Sequence, residues 1–170
     1  MKHVLHTKRL DLVPFSSVDT DLFLQLNTTP FVRAYLWDGE IISATTAEEI
    51  IRQNHEHFRK DNYGLWKIRF PEKQQMIGYA GLWDFFGEPQ PQLIYALAES
   101  YTRKGYATEA GARIIQYAFE ELGFKYLLAA MDEPHLASQQ VARRLGMALL
   151  ETRSEQGKPT VFYRIENDRK

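Results

Sequence analysis

The N-terminal half of the chain switches between the two-residue period of a strand and the spacing of a helix. Apolar and polar residues alternate over 9–15, "RLDLVPF", which predicts a strand. Helical spacing predicts a short helix over 19–27 and a longer one that begins in "SATTAEE" and buries Ala47 and Ile51. Residues 27–41 are rich in aromatic side chains but follow neither period, so we expect them to be irregular.

From Tyr63 onward, the sequence pattern predicts two hairpins and two further strands, with two helices between them. Alternation in "YGLWKIRF" and "MIGYAGLWDF" predicts one hairpin, and "QLIYALA" predicts a third strand. There follow a predicted helix over Tyr106 to Leu122, a buried strand "KYLLAAM", a short helix over Ala137 to Leu145, and a last hairpin from "ALLETRS" and "TVFYRIEN". This order predicts an α/β (α+β) fold with helices on both faces of a mixed, mostly antiparallel, twisted sheet.

Composition narrows the class of protein. The 170 residues favour one domain over 1–170, and the net charge of −1 argues against a nucleic-acid partner. The chain has no cysteine, which excludes disulfides, thiolate metal sites and a cysteine nucleophile. No apolar run is long enough for a signal segment or a membrane span, so we expect a cytoplasmic protein with no membrane partner.

The histidines do not support a metal site. His55 and His57 are two positions apart on the predicted helix and point to different faces. A metal-binding pair on a helix is typically spaced by about four residues. We therefore expect no bound metal.

The turn around Gly105 has the chemistry of an anion site. It lies directly before the predicted helix, whose first N–H groups have no intrahelical partner and whose dipole adds roughly half a positive charge. Gly105 can adopt a positive φ that curls N–H groups inward, and Arg103 and Lys104 add charge at the rim. The alternative is a plain strand-to-helix turn with two solvated cations. Neither GxxxxGK[ST] nor GxGxxG is present.

The stretch "PQLIYALAESYTRKGYATEAGARIIQYAFEELGF" and the following "KYLLAAMDEPHLASQQVARRLGM" resemble the core of the GNAT superfamily of acyl-CoA-dependent N-acyltransferases. The resemblance is greatest to the branch of ribosomal-protein N-terminal (RimJ/RimL-like) acetyltransferases, and it extends to "TKRLDLVPF" and "YGLWKI…MIGYAGL". It implies a GNAT fold with a splayed central strand pair, and acetyl-CoA as co-substrate. The implied reaction is direct attack by a primary amine, either a protein N-terminal α-amine or a small molecule, in a ternary complex.

The resemblance also assigns the donor site. Family members hold the coenzyme A pyrophosphate with a loop of pattern Gln/Arg-x-x-Gly-x-Gly/Ala, which here begins with Thr102 instead of Gln or Arg. The pantetheine arm pairs with strand backbone, and the N–H of Leu97 is the implied oxyanion donor. The residues implied to bind the cofactor are Ala96, Leu97, Ala98, Thr102, Arg103, Lys104, Gly105, Tyr106, Ala107, Thr108, His135 and Ser138.

Proton transfer is less well defined. Relatives often carry Glu at the position of Gln92, and Gln cannot act as a base. Carboxylates that could act through water are Asp84, Glu40, Glu88 and Glu99. The Tyr acid of many members is replaced by Ala142. The ribosomal branch instead places Ser near the sulfur in Asn-x-x-Ser, which here maps to His135 and Ser138, so Ser138 is the implied proton donor.

The acceptor side is the least family-like part of the sequence. We expect an aromatic-walled acceptor pocket that contains Trp37 and Trp83, with Tyr95 beside it. The departures at Gln92, Ala142 and His135 keep open a non-catalytic alternative, a CoA-sensing or partner-binding module. A phosphate-binding protein unrelated to CoA is a third possibility. The final hairpin could pair across a homodimer.

Overall fold

Thirteen helices and strands organise the chain, whose computed structural model describes residues 2–168. In order they are β1 (Leu5–His6), β2 (Asp11–Pro14), α1 (Thr20–Asn27), α2 (Pro30–Leu36), α3 (Ala44–Asp61), β3 (Leu65–Arg69), β4 (Met76–Trp83), β5 (Gln92–Leu97), α4 (Tyr106–Glu120), β6 (Tyr126–Asp132), α5 (Leu136–Arg144), β7 (Ala148–Glu155) and β8 (Lys158–Glu166). Single 3-10 turns precede α1 and follow β5.

The strands form two antiparallel sheets and not one mixed sheet. The five-stranded sheet has the order β1-β2-β3-β4-β5, and the three-stranded sheet has the order β6-β8-β7. Helix α4 carries the chain from β5 to β6, and the edge strands β5 and β6 lie side by side without forming a ladder. The fold class is confirmed, and the predicted splayed pair separates the two sheets.

Helices cover both faces of the larger sheet, as the sequence predicts. On one face α4 packs Ala110, Ile114 and Ala118 into a core that also contains strand residues such as Leu12 and Leu82. On the other face α1, α2 and α3 contribute Phe23, Leu26, Val32, Ala47 and Ile51 to a second core around Phe15 and Tyr79. Helix α4 approaches α5 closely, because a Cβ on Gly111 would lie only 2.9 Å from Leu145.

Helix α2 lies within the segment predicted to be irregular, so that prediction is wrong. Thr29 caps the helix by accepting the N–H of Val32 at 3.4 Å, and Pro30 occupies the first turn. Both are helix-start signals. The helix has only two turns, and Val32 is its one buried residue, so no apolar period is visible in the sequence.

The last hairpin leaves an exposed edge. Strand β7 is the outer strand of the smaller sheet, and Leu149 and Leu150 on it are exposed. A homodimer through this hairpin stays a prediction. Within residues 2–168, no helix combines the length and the apolar character needed to cross a membrane.

Asn54 links α3 to β3 from a fully buried position. Its Nδ2 donates to the carbonyl of Leu65 at 3.2 Å, and its Oδ1 accepts the N–H of Leu65 at 2.6 Å. We expect Asn54→Ala to lower the free energy of unfolding by about 1–3 kcal/mol, because the buried N–H of Leu65 loses its partner, while the Leu65 carbonyl keeps the N–H of Phe15. Urea denaturation measures this effect. His55→Ala, on the exposed face of the same helix, should change stability by less than about 0.5 kcal/mol. Similar small values for both variants would contradict the role of Asn54.

Candidate active site

A cavity of about 1070 Å³ lies between the edge strands β5 and β6. We call this space the wedge. Its walls also include residues from α2, the start of α4 and the start of α5. A side-chain contact pins one end, where Gln90 Nε2 donates to the carbonyl of Tyr126 at 2.5 Å. The strands separate beyond that contact, so the wedge is a preformed opening between two sheets.

The pairing of β5 with β4 determines which backbone groups face the wedge. Leu97 lies opposite Gly78, and the N–H of Ala98 donates to the carbonyl of Ile77 at 2.9 Å. Backbone groups in an antiparallel pair alternate between the partner strand and the open side. Ala96 and Ala98 therefore turn their N–H groups toward β4. Of the three residues predicted for this role, only Leu97 presents its N–H to the wedge, and Tyr95 does so too.

The turn before α4 has the predicted conformation. Arg103 and Gly105 both have positive φ, 61° and 81°. The N–H of Glu109 makes the first α-helical bond, to the carbonyl of Gly105 at 3.0 Å. The N–H groups just before Glu109 thus have no intrahelical partner, and they cluster where the chain curls inward.

Arg9 and Glu109 brace this turn from outside. The Glu109 carboxylate accepts bonds from Thr7 Oγ1 at 2.6 Å, from the Arg9 N–H at 2.8 Å and from Arg9 Nε at 2.6 Å. Arg9 also donates to the carbonyl of Lys104 at 3.1 Å and lies over the Tyr106 ring. Against the opposing effect of burial, the bonds from Thr7 and Arg9 lower the pKa of Glu109, so its carboxylate stays charged. Sequence reasoning missed this brace.

The surroundings of Thr108 show whether the turn could bind a phosphate group. Its Oγ1 is buried, lies in the first turn of α4 and has no hydrogen-bond partner in the described part of the chain. Thr108, Arg103 and Gly105 line the wedge, as do Thr102, Tyr106 and Ala107. A buried hydroxyl beside free N–H groups and a guanidinium suits an anionic oxygen ligand. Lys104 and Ala98 are absent from the lining residues within 2–168, and the Lys104 ammonium lies over the Tyr101 ring.

Tyr95 and Ser138 join β5 to α5 across the wedge. Tyr95 Oη donates to the Ser138 carbonyl at 2.9 Å, and Ser138 Oγ donates to Tyr95 Oη at 3.3 Å. Burial raises the pKa of Tyr95 to about 12, so the phenol stays protonated at neutral pH. Both side chains line the wedge. Ala142, at the position of the usual Tyr acid, is fully buried in the core.

His135 lies at the N-terminal cap of α5 and also lines the wedge. Its ring stacks on Tyr35 of α2, with centroids 3.8 Å apart and planes 7° from parallel. Burial lowers the pKa of His135, so the ring is neutral at pH 7 and keeps one donor and one acceptor nitrogen.

The aromatic residues of the wedge differ from those predicted. Phe31, Tyr35, Phe85 and Phe86 line it, and within the described residues 2–168 neither Trp37 nor Trp83 does. Trp37 donates its Nε1 to Asn27 at 2.9 Å and packs on the second core. Trp83 packs there too and contacts His57 edge to face. The structure brings only Tyr95, of the three predicted acceptor-side residues, into the wedge.

Two polar residues that line the wedge, Gln92 and Asp132, bear on which group could act as the general base. Asp132 lies at the end of β6, and sequence reasoning missed it. Burial raises the pKa of Asp132, and Asp38 adds to this effect while Lys158 opposes it. Glu99 is the only one of the four carboxylates suggested from sequence that lines the described wall. Asp84 lies beside Tyr63, and Glu88 pairs with Arg153.

An open strand edge, an anion cradle at one end and a hydroxyl pair at the other form an arrangement that suits an acyl group on a long anionic carrier. Comparison with known sequences agrees. Residues 9–148 match the family described as Acetyltransferase (GNAT) domain. Over 141 residues the chain is 24% identical to the uncharacterized N-acetyltransferase YnaD of Bacillus subtilis (strain 168), covering 83% of this chain and 80% of YnaD.

Solved structures share the fold. The acetyltransferase from Agrobacterium tumefaciens str. C58 superposes with a TM-score of 0.83 at 24% identity, over 96% of this chain and 94% of that one. RimL, the ribosomal L7/L12 alpha-N-protein acetyltransferase solved in complex with coenzyme A, superposes with a TM-score of 0.83 at 16% identity, over 98% and 99% of the two chains.

The chain belongs to the GNAT acetyltransferase family, as its sequence predicts, and is an acetyltransferase. Acetyl-CoA is the acyl donor that this membership implies. Within residues 2–168 no group of three or more His, Asp or Glu side chains is placed to hold a metal ion.

We expect Thr108→Val to weaken acetyl-CoA binding without loss of stability. Valine keeps the shape of threonine but removes a buried hydroxyl that has no partner in the described structure. Loss of one hydrogen bond of about 1 kcal/mol raises Kd about fivefold, which calorimetry measures. Thr152→Val, on the exposed edge strand β7, is the matched control. An unchanged Kd for Thr108→Val would remove Thr108 from the donor site.

Proposed function

We propose that this protein transfers the acetyl group of acetyl-CoA to a primary amine, by direct attack in a ternary complex. The observation that carries the proposal is that one continuous cavity is lined by the anion cradle of Arg103, Gly105 and Thr108, and also by Leu97 and Ser138. The donor's diphosphate would lie at the cradle and its thioester beside β5. The amine would then attack from the other side of the wedge.

The open edge of β5 supplies the electrostatic part of the mechanism. The N–H of Leu97 is not used by β4, so it is free to donate to the thioester oxygen as negative charge develops there. One such donor contributes about 3 kcal/mol where it has been measured in other enzymes. The neighbouring open groups of Tyr95 would hold the pantetheine arm in the manner of an added strand.

Ser138 is the proton donor that we propose for the leaving thiolate. Its hydroxyl lines the wedge and is bonded to Tyr95, whose phenol stays protonated. Tyr95 would orient Ser138 and restrain the start of α5, and neutral His135 beside it would bond to the pantetheine arm. Holding the two substrates in the reactive geometry supplies much of the remaining rate enhancement in such a site.

Both acceptor classes expected from the sequence stay open at this point. RimL, which shares the fold, acts on a protein N-terminus, and the acceptor of this chain is either such an α-amine or a small-molecule amine. The chain has no cysteine, which fits the reducing cytoplasm that we propose as its compartment.

A second candidate function is a non-catalytic CoA sensor on the same fold. Two positions favour it, because Gln92 is an amide where relatives often carry a carboxylate and Ala142 is part of the core. Ser138, Tyr95 and Asp132 still place proton-transfer groups in the wedge, which favours the enzyme.

The two candidates differ in turnover. We expect free coenzyme A to appear in proportion to acetylated amine when acetyl-CoA and a panel of primary amines are supplied, as followed by thiol titration and mass spectrometry. A rise in melting temperature with acetyl-CoA should accompany it. Stabilisation with no turnover on any amine would favour the sensor.

Ser138→Ala should lower kcat while leaving the Kd of acetyl-CoA within about twofold, because general acid catalysis contributes roughly 10²-fold or more to rate and little to binding. Steady-state kinetics and calorimetry measure the two effects. Ser154→Ala, at an exposed position on β7, is the matched control and should behave like the parent. Equal losses in rate and affinity for Ser138→Ala would refute the proton-donor role.

A further inference from the structure

The two faces of the wedge have different chemistry. Side chains alternate along β5, so Leu93, Tyr95 and Leu97 face the core beneath α4, while Gln92, Ile94 and Ala96 face the side of α1 to α3. In β6, Ala129 and Met131 face the first side, so Ala130 and Asp132 face the second. We call this second side the acceptor face. It lies opposite the Tyr95–Ser138 pair.

Gln92 offers an unused hydrogen-bond acceptor on the acceptor face. The side chain is 1% exposed, and its Nε2 donates to the carbonyl of Phe85 at 3.1 Å. Its Oε1 is buried and has no hydrogen-bond partner in the described part of the chain. Because the bond to Phe85 fixes the amide, Oε1 can only accept. A buried acceptor without a partner is unfavourable, and an N–H group of a ligand would satisfy it.

Asp132 places a carboxylate at the other end of the acceptor face. The charged and titratable groups around it are Asp38 at the end of α2, Lys158 of β8 and His135 of α5. The Lys158 ammonium is bound to Asp38, and the His135 ring is neutral and stacked on Tyr35. Lys158 attracts the Asp132 carboxylate from beyond ion-pair distance and so opposes the rise in its pKa. No ion pair occupies this carboxylate among the described residues, so it can attract a cation that enters the wedge.

Aromatic side chains form much of the remaining wall, together with the hydroxyl residue Thr160. Phe31, Tyr35 and Phe86 line the wedge and keep 38%, 39% and 40% of their surface exposed. Phe86 packs on Phe162, which pairs with Ala130 and so lies on the acceptor face.

The basic side chains among the described lining residues are Arg103 and Arg144, in the donor turn and in α5. Lys158 and Arg153 lie on the acceptor face, although neither is among the described lining residues. Each is already paired, Lys158 with Asp38 and Arg153 with Glu88 and Glu151, so neither is free to neutralise a carboxylate beside the reacting amine.

We propose that the acceptor face selects a primary amine that carries an apolar or aromatic group and no carboxylate next to its nitrogen, with Gln92 Oε1 orienting an N–H and Asp132 accepting a proton. This inference rests on the proposed function. The same chemistry occurs in a free arylalkylamine and in a polypeptide with an apolar first residue, because the α-carboxyl of that residue is an amide.

The proton balance follows from these positions. One proton of the ammonium ion passes to Asp132 and then to solvent, and the freed nitrogen lone pair forms the C–N bond at the thioester carbon. The C–S bond breaks as Ser138 gives its proton to sulfur. A second proton leaves nitrogen and replaces the one that Ser138 gave, so the products are an amide, a thiol and one released proton.

The test compares three amines that differ in one group: phenethylamine, phenylalanine and phenylalaninamide. With the parent protein and saturating acetyl-CoA, we expect phenethylamine and phenylalaninamide to have similar kcat/KM, and phenylalanine to be at least about tenfold poorer. A peptide that begins with Phe distinguishes a polypeptide acceptor from a free arylalkylamine. A higher kcat/KM for the peptide than for phenethylamine assigns a polypeptide acceptor, and a lower one assigns a free amine.

Two variants test the two residues. Asp132→Asn should lower kcat for phenethylamine about 100-fold, as expected for loss of a general base. Gln92→Leu should raise the KM of the amine about fivefold and leave the Kd of acetyl-CoA unchanged. Asp21→Asn, exposed on α1, is the control for the loss of a carboxylate.

The outcomes separate this inference from the proposed function. If no amine is acetylated although acetyl-CoA binds, the proposed function fails. If amines are acetylated but phenylalanine reacts as well as phenethylamine, or Asp132→Asn retains the parent kcat, the acceptor-face inference fails and the acetyltransferase activity stands.

Discussion

The absence of pairing between β5 and β6 is the constraint on which the site depends. Each strand is fully paired on one side only, β5 with β4 and β6 with β8. The facing edges carry backbone groups that need partners, and a strand edge commonly binds an extended chain. A carrier with amide groups along a flexible arm can satisfy such an edge. In the function proposed above, this gap binds the carrier and supplies hydrogen-bond donors to the reaction.

Contacts at several points keep the gap at a defined width. Gln90 ties the start of β5 to Tyr126, and the Tyr95–Ser138 bonds connect β5 to α5 farther along. Gly111 allows α4 and α5 to approach closely, which a larger side chain would prevent. Because these contacts join β5 and α4 to the smaller sheet and to α5, the site is organised before any ligand arrives.

Local patterns in the sequence predicted the elements that carry the site, and long-range contacts account for what was missed. The helix after Gly105 and the positive φ of that residue follow from periodicity and from glycine chemistry. The pairing register that separates Leu97 from Ala96 and Ala98 depends on β4 and has no local signal. No local pattern marks Asp132 as part of a site, because the charges that act on it, Asp38 and Lys158, are brought near it only by the fold. Trp37 and Trp83 were misplaced because aromatic composition does not distinguish a core from a cavity wall.

The brace formed by Thr7, Arg9 and Glu109 makes the beginning of the chain a structural part of the donor turn, although about a hundred positions separate them in sequence. A fused affinity tag or a shortened amino terminus would disturb this brace. It would thereby alter the turn that is proposed to bind the diphosphate of acetyl-CoA. The amine end would be left as it was. We therefore expect the affinity of engineered versions for acetyl-CoA, and not for the amine, to depend on how their first ten residues are built.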